Sequence, residues 1–193
     1  SDDVYPAGTL RQVGTYFAQH PKDSFIYGHG RLIDSDDNQI GFYNDYQVDS
    51  VKLWEACAIS QPTTFWRAQV YKKIGPFDES YRFTMDYDYW MRVSKKYHMV
   101  YIPTIIANSR IHQEAKTSAF THKLHGEALQ ACMKHYGKVH YDWIFTYTDS
   151  EIDNTIKDRK YYCHMVVKSI WYYFQYNKSL PPPKGIKIIL SWA

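Results

Sequence analysis

Thr84-Met85-Asp86-Tyr87-Asp88-Tyr89-Trp90-Met91-Arg92 is the stretch on which the reading of this chain turns. From Asp86 to Tyr97 the apolar positions recur at helical spacing, with Trp90, Val93 and Tyr97 on one face. Acids at a helix start complement the positive end of its dipole, and that alone would explain Asp86 and Asp88. Side chains two residues apart on a helix point in different directions, so one carboxylate can reach a site while the other caps the helix or pairs with Arg92. A second acidic pair, Asp2 and Asp3, opens the chain far from the first. One pair suits a divalent cation, whose ligands are oxygens. The other can take a proton from a hydroxyl. Together they suggest group transfer from a phosphate-bearing donor.

The bulk properties allow this. The chain of 193 residues, 45% apolar and 22% charged, can bury the core of an ordinary globular domain. Nineteen Tyr and six Trp are an excess, which fits sugar stacking, an interface, a membrane-facing surface or simply a tyrosine-rich core. A net charge of +3 without a dense Lys/Arg block argues against nucleic acid as a partner. Cys57, Cys132 and Cys163 are scattered and odd in number, which reads as reduced cytosolic thiols. No signal peptide and no run long enough to span a bilayer is seen, so a cytoplasmic location is expected.

The periodicities predict a helix over 4–19, with Pro6 in its first turn and His20-Pro21 stopping it. Strand material over 25–28 and 30–33 leads into the polar turn 34–39 and returns over 40–43 as a hairpin. That acidic turn lacks the spaced ligands of a calcium loop and reads as solvated. Asp49 or Ser50 caps a short helix to 56. A loop at 61–66 runs into a strand, and a short helix over 67–73 ends at Gly75-Pro76. Strands over 99–102 and 105–107 flank Pro103, and helices are expected over 118–136 and 152–176. Leu180-Pro181-Pro182-Pro183 then breaks the chain before an apolar end.

In order along the chain stand Gln61-Pro62-Thr63-Thr64-Phe65-Trp66-Arg67, Val70, Ile74-Gly75-Pro76-Phe77-Asp78-Glu79-Ser80, the Met85–Arg92 run, Arg110-Ile111-His112 and Lys116-Thr117. This series resembles glycosyltransferase family 2, inverting enzymes of the GT-A fold. Ser1-Asp2-Asp3 with Pro6, Gly8 and Leu10 resembles the metal-binding DxD region of that family and the helix that follows it. The resemblance covers about the first two-thirds of the chain. It implies an α/β fold: the second half of a GT-A domain with a mixed sheet over 1–117, followed by a C-terminal helical extension over 118–193. The family's N-terminal βαβ half, which grips the nucleotide, has no counterpart in this sequence, so a fragment is expected. A second departure is Met85, where the family often has Glu.

The resemblance implies roles for particular residues. Asp86 matches the catalytic base, which deprotonates the attacking hydroxyl as the sugar–phosphate bond breaks in line. Asp2 and Asp3 match the carboxylates that hold Mg²⁺ or Mn²⁺ against the donor's diphosphate, and His112 is a third metal ligand or a diphosphate contact. Gln61, Trp66, Asp88 and Lys116 are candidates for substrate binding: an amide for a sugar hydroxyl, an indole for a sugar face, a second carboxylate, and a cation for phosphate. Each has a plain structural rival: a frayed terminus, a helix-start acid, a hydrogen-bonded histidine, a packed indole or a solvated lysine. Arg67 and Arg92 read as ion-pair partners. The implied partners are a nucleotide-diphospho-sugar donor and a glycan or lipid-linked acceptor, in cell-surface polysaccharide or glycolipid synthesis. Lysines interleaved with aromatics after residue 159 resemble an interfacial helix, which leaves open peripheral contact with the inner face of the membrane, or a homo-oligomer. The alternative is a non-catalytic module that binds glycan or a partner.

Overall fold

The computed structural model describes residues 2–43, 45–111, 121–152 and 158–191, without the side chain of Ile189. Contacts divide the chain into two compact units. The first holds Ser1–Leu53, Cys57–Asp78 and Tyr89–Ala115; the second holds Trp54–Ala56, Glu79–Asp88 and Lys116–Ala193.

The first unit is built on a mixed sheet. Its central strand β1 (Phe25–Ile33) runs parallel to β4 (Met99–Arg110) along its whole length. The opposite edge of β1 is shared by two antiparallel strands, β3 (Thr64–Trp66) against Phe25–Tyr27 and β2 (Gln39–Phe42) against Arg31–Ile33. A strand covered on both faces of its sheet is expected to be apolar on both sides, and Phe25, Ile26 and Tyr27 are all fully buried. On one face Ile26, Ile102 and Ile106 pack with Val13 of helix α1 (Thr9–Gln19). On the other, Phe25 meets the ring of Trp90 edge-on at 5.2 Å.

Several expectations shift. The first helix starts at Thr9, not residue 4, because Gly8 adopts a left-handed conformation (φ 89°) and Val4 instead bridges Asn108 beside β4. β1 is one strand through Gly28 and Gly30. Pro103 does not interrupt β4 either: Ile102 pairs with Gly28 and Ile105 with His29, so Pro103 and Thr104 fall in a bulge where no ladder bond is needed. The 34–38 turn closes through Asp34 Oδ1, which accepts from the N–H groups of Asp36 and Asn38 at 2.9 Å each. Asp49 Oδ1 likewise accepts from Val51 and Lys52 at the start of α2 (Ser50–Glu55). A single 3₁₀ turn over Gln61–Thr63 leads into β3, followed by α3 (Ala68–Ile74). Arg67 donates to the carbonyls of Asp23 (2.8 Å) and Phe17 (2.7 Å), and Arg92 to those of Ile74 and Pro76, so these two arginines clamp backbone turns.

The second unit is helical. α5 (Thr121–Tyr136) packs on α6 (Tyr141–Glu151), α6 on α7 (Arg159–Asn177), and α7 on α8 (Pro183–Ser191). The helix expected over 152–176 is described from Arg159 to Asn177, where Asp158 caps it by accepting from the N–H of Tyr161, and α6, which ends at Glu151, was not expected. Among the described residues no helix is long and apolar enough to cross a membrane.

Candidate active site

Helix α4 (Met85–Ser94) carries the acids of the opening motif, and its first turn belongs to the second unit. That turn is anchored from α5. The Glu127 carboxylate accepts from three consecutive backbone N–H groups, those of Arg82 (3.0 Å), Phe83 (2.7 Å) and Thr84 (3.0 Å). The Thr84 hydroxyl adds a fourth contact at 3.3 Å. Glu127 therefore fixes the backbone that leads into Met85 and Asp86.

Asp86 occupies the second position of α4 and is half-buried. Its Oδ1 accepts from the N–H of Tyr87 at 2.8 Å. The surrounding protein takes enough water from the carboxyl that desolvation raises its pKa above the ordinary aspartate value, against the opposing pull of the backbone hydrogen bonds. A carboxyl on a half-buried residue that burial makes more basic than usual is the form a proton acceptor takes.

Asp88 has a different surrounding. Its side chain has 0% exposure, and Oδ1 accepts from Lys134 Nζ and lies against His135 Nε2, both at 2.8 Å. These contacts tie α4 to the end of α5. Tyr87 is also buried, with its hydroxyl accepting from Trp143 Nε1 at 2.9 Å.

In the first unit, Asp2 and Asp3 lie beside the end of β4. The N–H of Arg110 donates to Asp3 Oδ1 at 3.0 Å, while its Nε reaches the carbonyl of Asp2 at 3.4 Å. The same guanidinium donates to the Asp34 carbonyl (2.5 Å) and to Asp37 Oδ1 (2.6 Å), binding the β1–β2 turn to this corner. Among the described residues no group of three or more His, Cys, Asp or Glu side chains gathers as a metal site. Two adjacent carboxylates are too few for an all-protein cage, but they fit a hard cation that is shared with phosphate oxygens and water.

Gln61 is exposed at the start of the 3₁₀ turn, and its carbonyl accepts from the Thr64 hydroxyl at 2.7 Å. Trp66 is half-buried and stacks on Phe25, with ring centroids 5.7 Å apart and planes 5° from parallel, within a cluster that includes Phe77, Tyr89 and Trp90. His112 and Lys116 lie outside the described residues.

No family model matches the chain. It is, however, similar to two rickettsial proteins. Over 136 residues it is 26% identical to an uncharacterized glycosyltransferase of Rickettsia typhi, a match covering 64% of this chain and 41% of that protein. Over 126 residues it is 26% identical to an uncharacterized glycosyltransferase of Rickettsia conorii, covering 58% of this chain and 20% of the relative. The chain thus covers less than half the length of either relative.

Glu127, Lys134 and His135 are the residues that sequence reasoning missed. They sit on a helix whose charged positions look solvated in one dimension, and no local spacing links them to residues 82–88.

Proposed function

We propose that this chain carries acceptor-side chemistry of a sugar transfer, as part of an inverting glycosyltransferase of family 2 and the GT-A fold. The acceptor hydroxyl oxygen attacks the anomeric carbon of a nucleotide-diphospho-sugar. The bond from that carbon to the phosphate oxygen breaks, and the nucleoside diphosphate leaves with the electron pair. Asp86 receives the hydroxyl proton. Attack from the side opposite the leaving group inverts the anomeric centre.

The observation that carries this reading is the Asp86 carboxyl: on a half-buried residue, held at a helix start and made more basic by desolvation. The rickettsial relatives, named as glycosyltransferases, support the reaction class. Asp2 and Asp3 are the residues that would hold Mg²⁺ or Mn²⁺, which when bound neutralises charge on the departing diphosphate. Asp88, bound to Lys134 and His135, keeps α4 in place while Asp86 works. His112 and Lys116 are proposed for the diphosphate, and Gln61 and Trp66 for the sugar. The acceptor is a glycan or lipid-linked saccharide.

Titration of UDP and GDP with and without Mn²⁺, read by calorimetry on the full gene product, tests the reading. Saturable, metal-dependent binding that weakens in an Asp2→Ala/Asp3→Ala variant is the expected result. Glycan binding with no nucleotide binding would make the chain a non-catalytic module instead.

A further inference from the structure

Helix α7 is apolar on the face that packs and apolar again on the face that does not. Inward, Tyr161, Met165 and Ser169 are buried, and Lys168 is paired with Glu151 at 2.9 Å. Outward, Lys160, His164, Val167, Trp171 and Phe174 follow one another at steps of four and three, which places them on a single stripe, with Lys178 just past the helix end at its left-handed C-cap, and all six are exposed. The middle of that stripe is Val167 (68% exposed), Trp171 (54%) and Phe174 (49%). Cations stand at both ends. From Arg159 to Ala193 the sequence has Arg159, Lys160, Lys168, Lys178, Lys184 and Lys187, and neither Asp nor Glu.

We infer that the outer face of α7 docks on an anionic lipid surface, with Val167, Trp171 and Phe174 entering the headgroup–acyl boundary and Lys160 and Lys178 meeting lipid phosphates. Three observations favour this occupant. The charge of the segment is of one sign, so it complements an anionic plane. The apolar centre includes Trp, whose ring suits an interface between water and hydrocarbon. A second copy of the chain fits poorly: antiparallel pairing of two such stripes sets Lys160 and His164 against Lys178 of the copy, and parallel pairing sets each cation against itself. The stripe spans about 27 Å at 1.5 Å per residue, so the helix lies along the surface. This inference stands apart from the sugar-transfer reading, since neither Asp86 nor Asp2 enters it.

Flotation of the full chain with vesicles of phosphatidylglycerol and phosphatidylcholine in equal parts, against vesicles of phosphatidylcholine alone, tests it. The chain is expected to bind the anionic vesicles, to release as salt rises, and to ignore the neutral ones. Val167→Ser/Trp171→Ser/Phe174→Ser should weaken binding by about tenfold or more, and Lys160→Gln/Lys178→Gln should weaken it several-fold and flatten the salt dependence. All five side chains are exposed, so circular dichroism should show the fold unchanged. The inference is overturned by failure to bind anionic vesicles, by equal binding to neutral ones, or by binding that the triple variant leaves intact. It is also overturned if sedimentation shows a dimer that the triple variant dissolves, which would assign the stripe to a second copy.

Discussion

Replacing Glu127 by Ala removes the acceptor for three neighbouring amides and one hydroxyl at the mouth of α4. Hydrogen bonds to an ionised acceptor contribute more than neutral ones, but Arg82 is exposed and water can replace the carboxylate there. Counting the Phe83 and Thr84 bonds at about 1–1.5 kcal/mol each, the local loss is about 2–3 kcal/mol. Hydrogen exchange read by NMR gives the local quantity directly. At a tenfold change per 1.4 kcal/mol, the amides of residues 82–84 should exchange roughly 30 to 150 times faster in the variant, provided exchange proceeds through local opening. Glu127→Gln, which keeps one acceptor oxygen, should fall between. Loosening this turn also admits water to Asp86, so its carboxyl pKa, followed by carbon-13 NMR, should drop toward the ordinary aspartate value. Exchange within about twofold of the wild type, with an unmoved Asp86 titration, would refute the view that Glu127 holds the site's backbone.

Three further predictions follow from individual contacts. Gly28→Ala would place a Cβ 2.7 Å from the Thr104 carbonyl and 2.8 Å from Ile106, so it should destabilise the chain by about 1–3 kcal/mol in urea unfolding, and an unchanged midpoint would contradict the close packing of β1 on β4. Asp88→Ala removes the buried acceptor that His135 and Lys134 share and should cost about 2–3 kcal/mol, whereas a cost near zero would show that the contacts do not anchor α4. Because burial raises the Asp86 pKa, its stabilising contribution is present below the unfolded-state value and is lost as pH rises through the folded value. Asp86→Asn should therefore gain in Tm relative to the wild type between acid and neutral pH, and a constant difference across that range would contradict the raised pKa.

Periodic features of the fold could be read from sequence, and long-range ones could not. The helix at Asp86, the Asp34 turn and the cap at Asp49 are local, each specified by residues within a few positions of one another. The break expected at His29 does not occur, and what requires glycine on either side of it, the approach of Thr104, Ile106 and Ser60, lies on other segments. Pro103 misled in the same way, since only the register with β1 shows that it falls where no partner bond is required. At the site, the unusual acid Asp86 was visible as an acid among aromatics. Its supports were not, because Glu127 lies 43 residues beyond Thr84 and is an ordinary helical glutamate until it meets three amides.

The central claim is that Asp86 takes the proton of the acceptor hydroxyl. The most direct measurement is sugar transfer by the full gene product with Asp86→Asn, alongside nucleotide-sugar binding by the same variant. Asn keeps the oxygen that accepts from the Tyr87 N–H but cannot accept the proton, so transfer should fall by about 10²- to 10⁴-fold while donor affinity stays unchanged. Transfer at the wild-type rate in that variant would contradict the account.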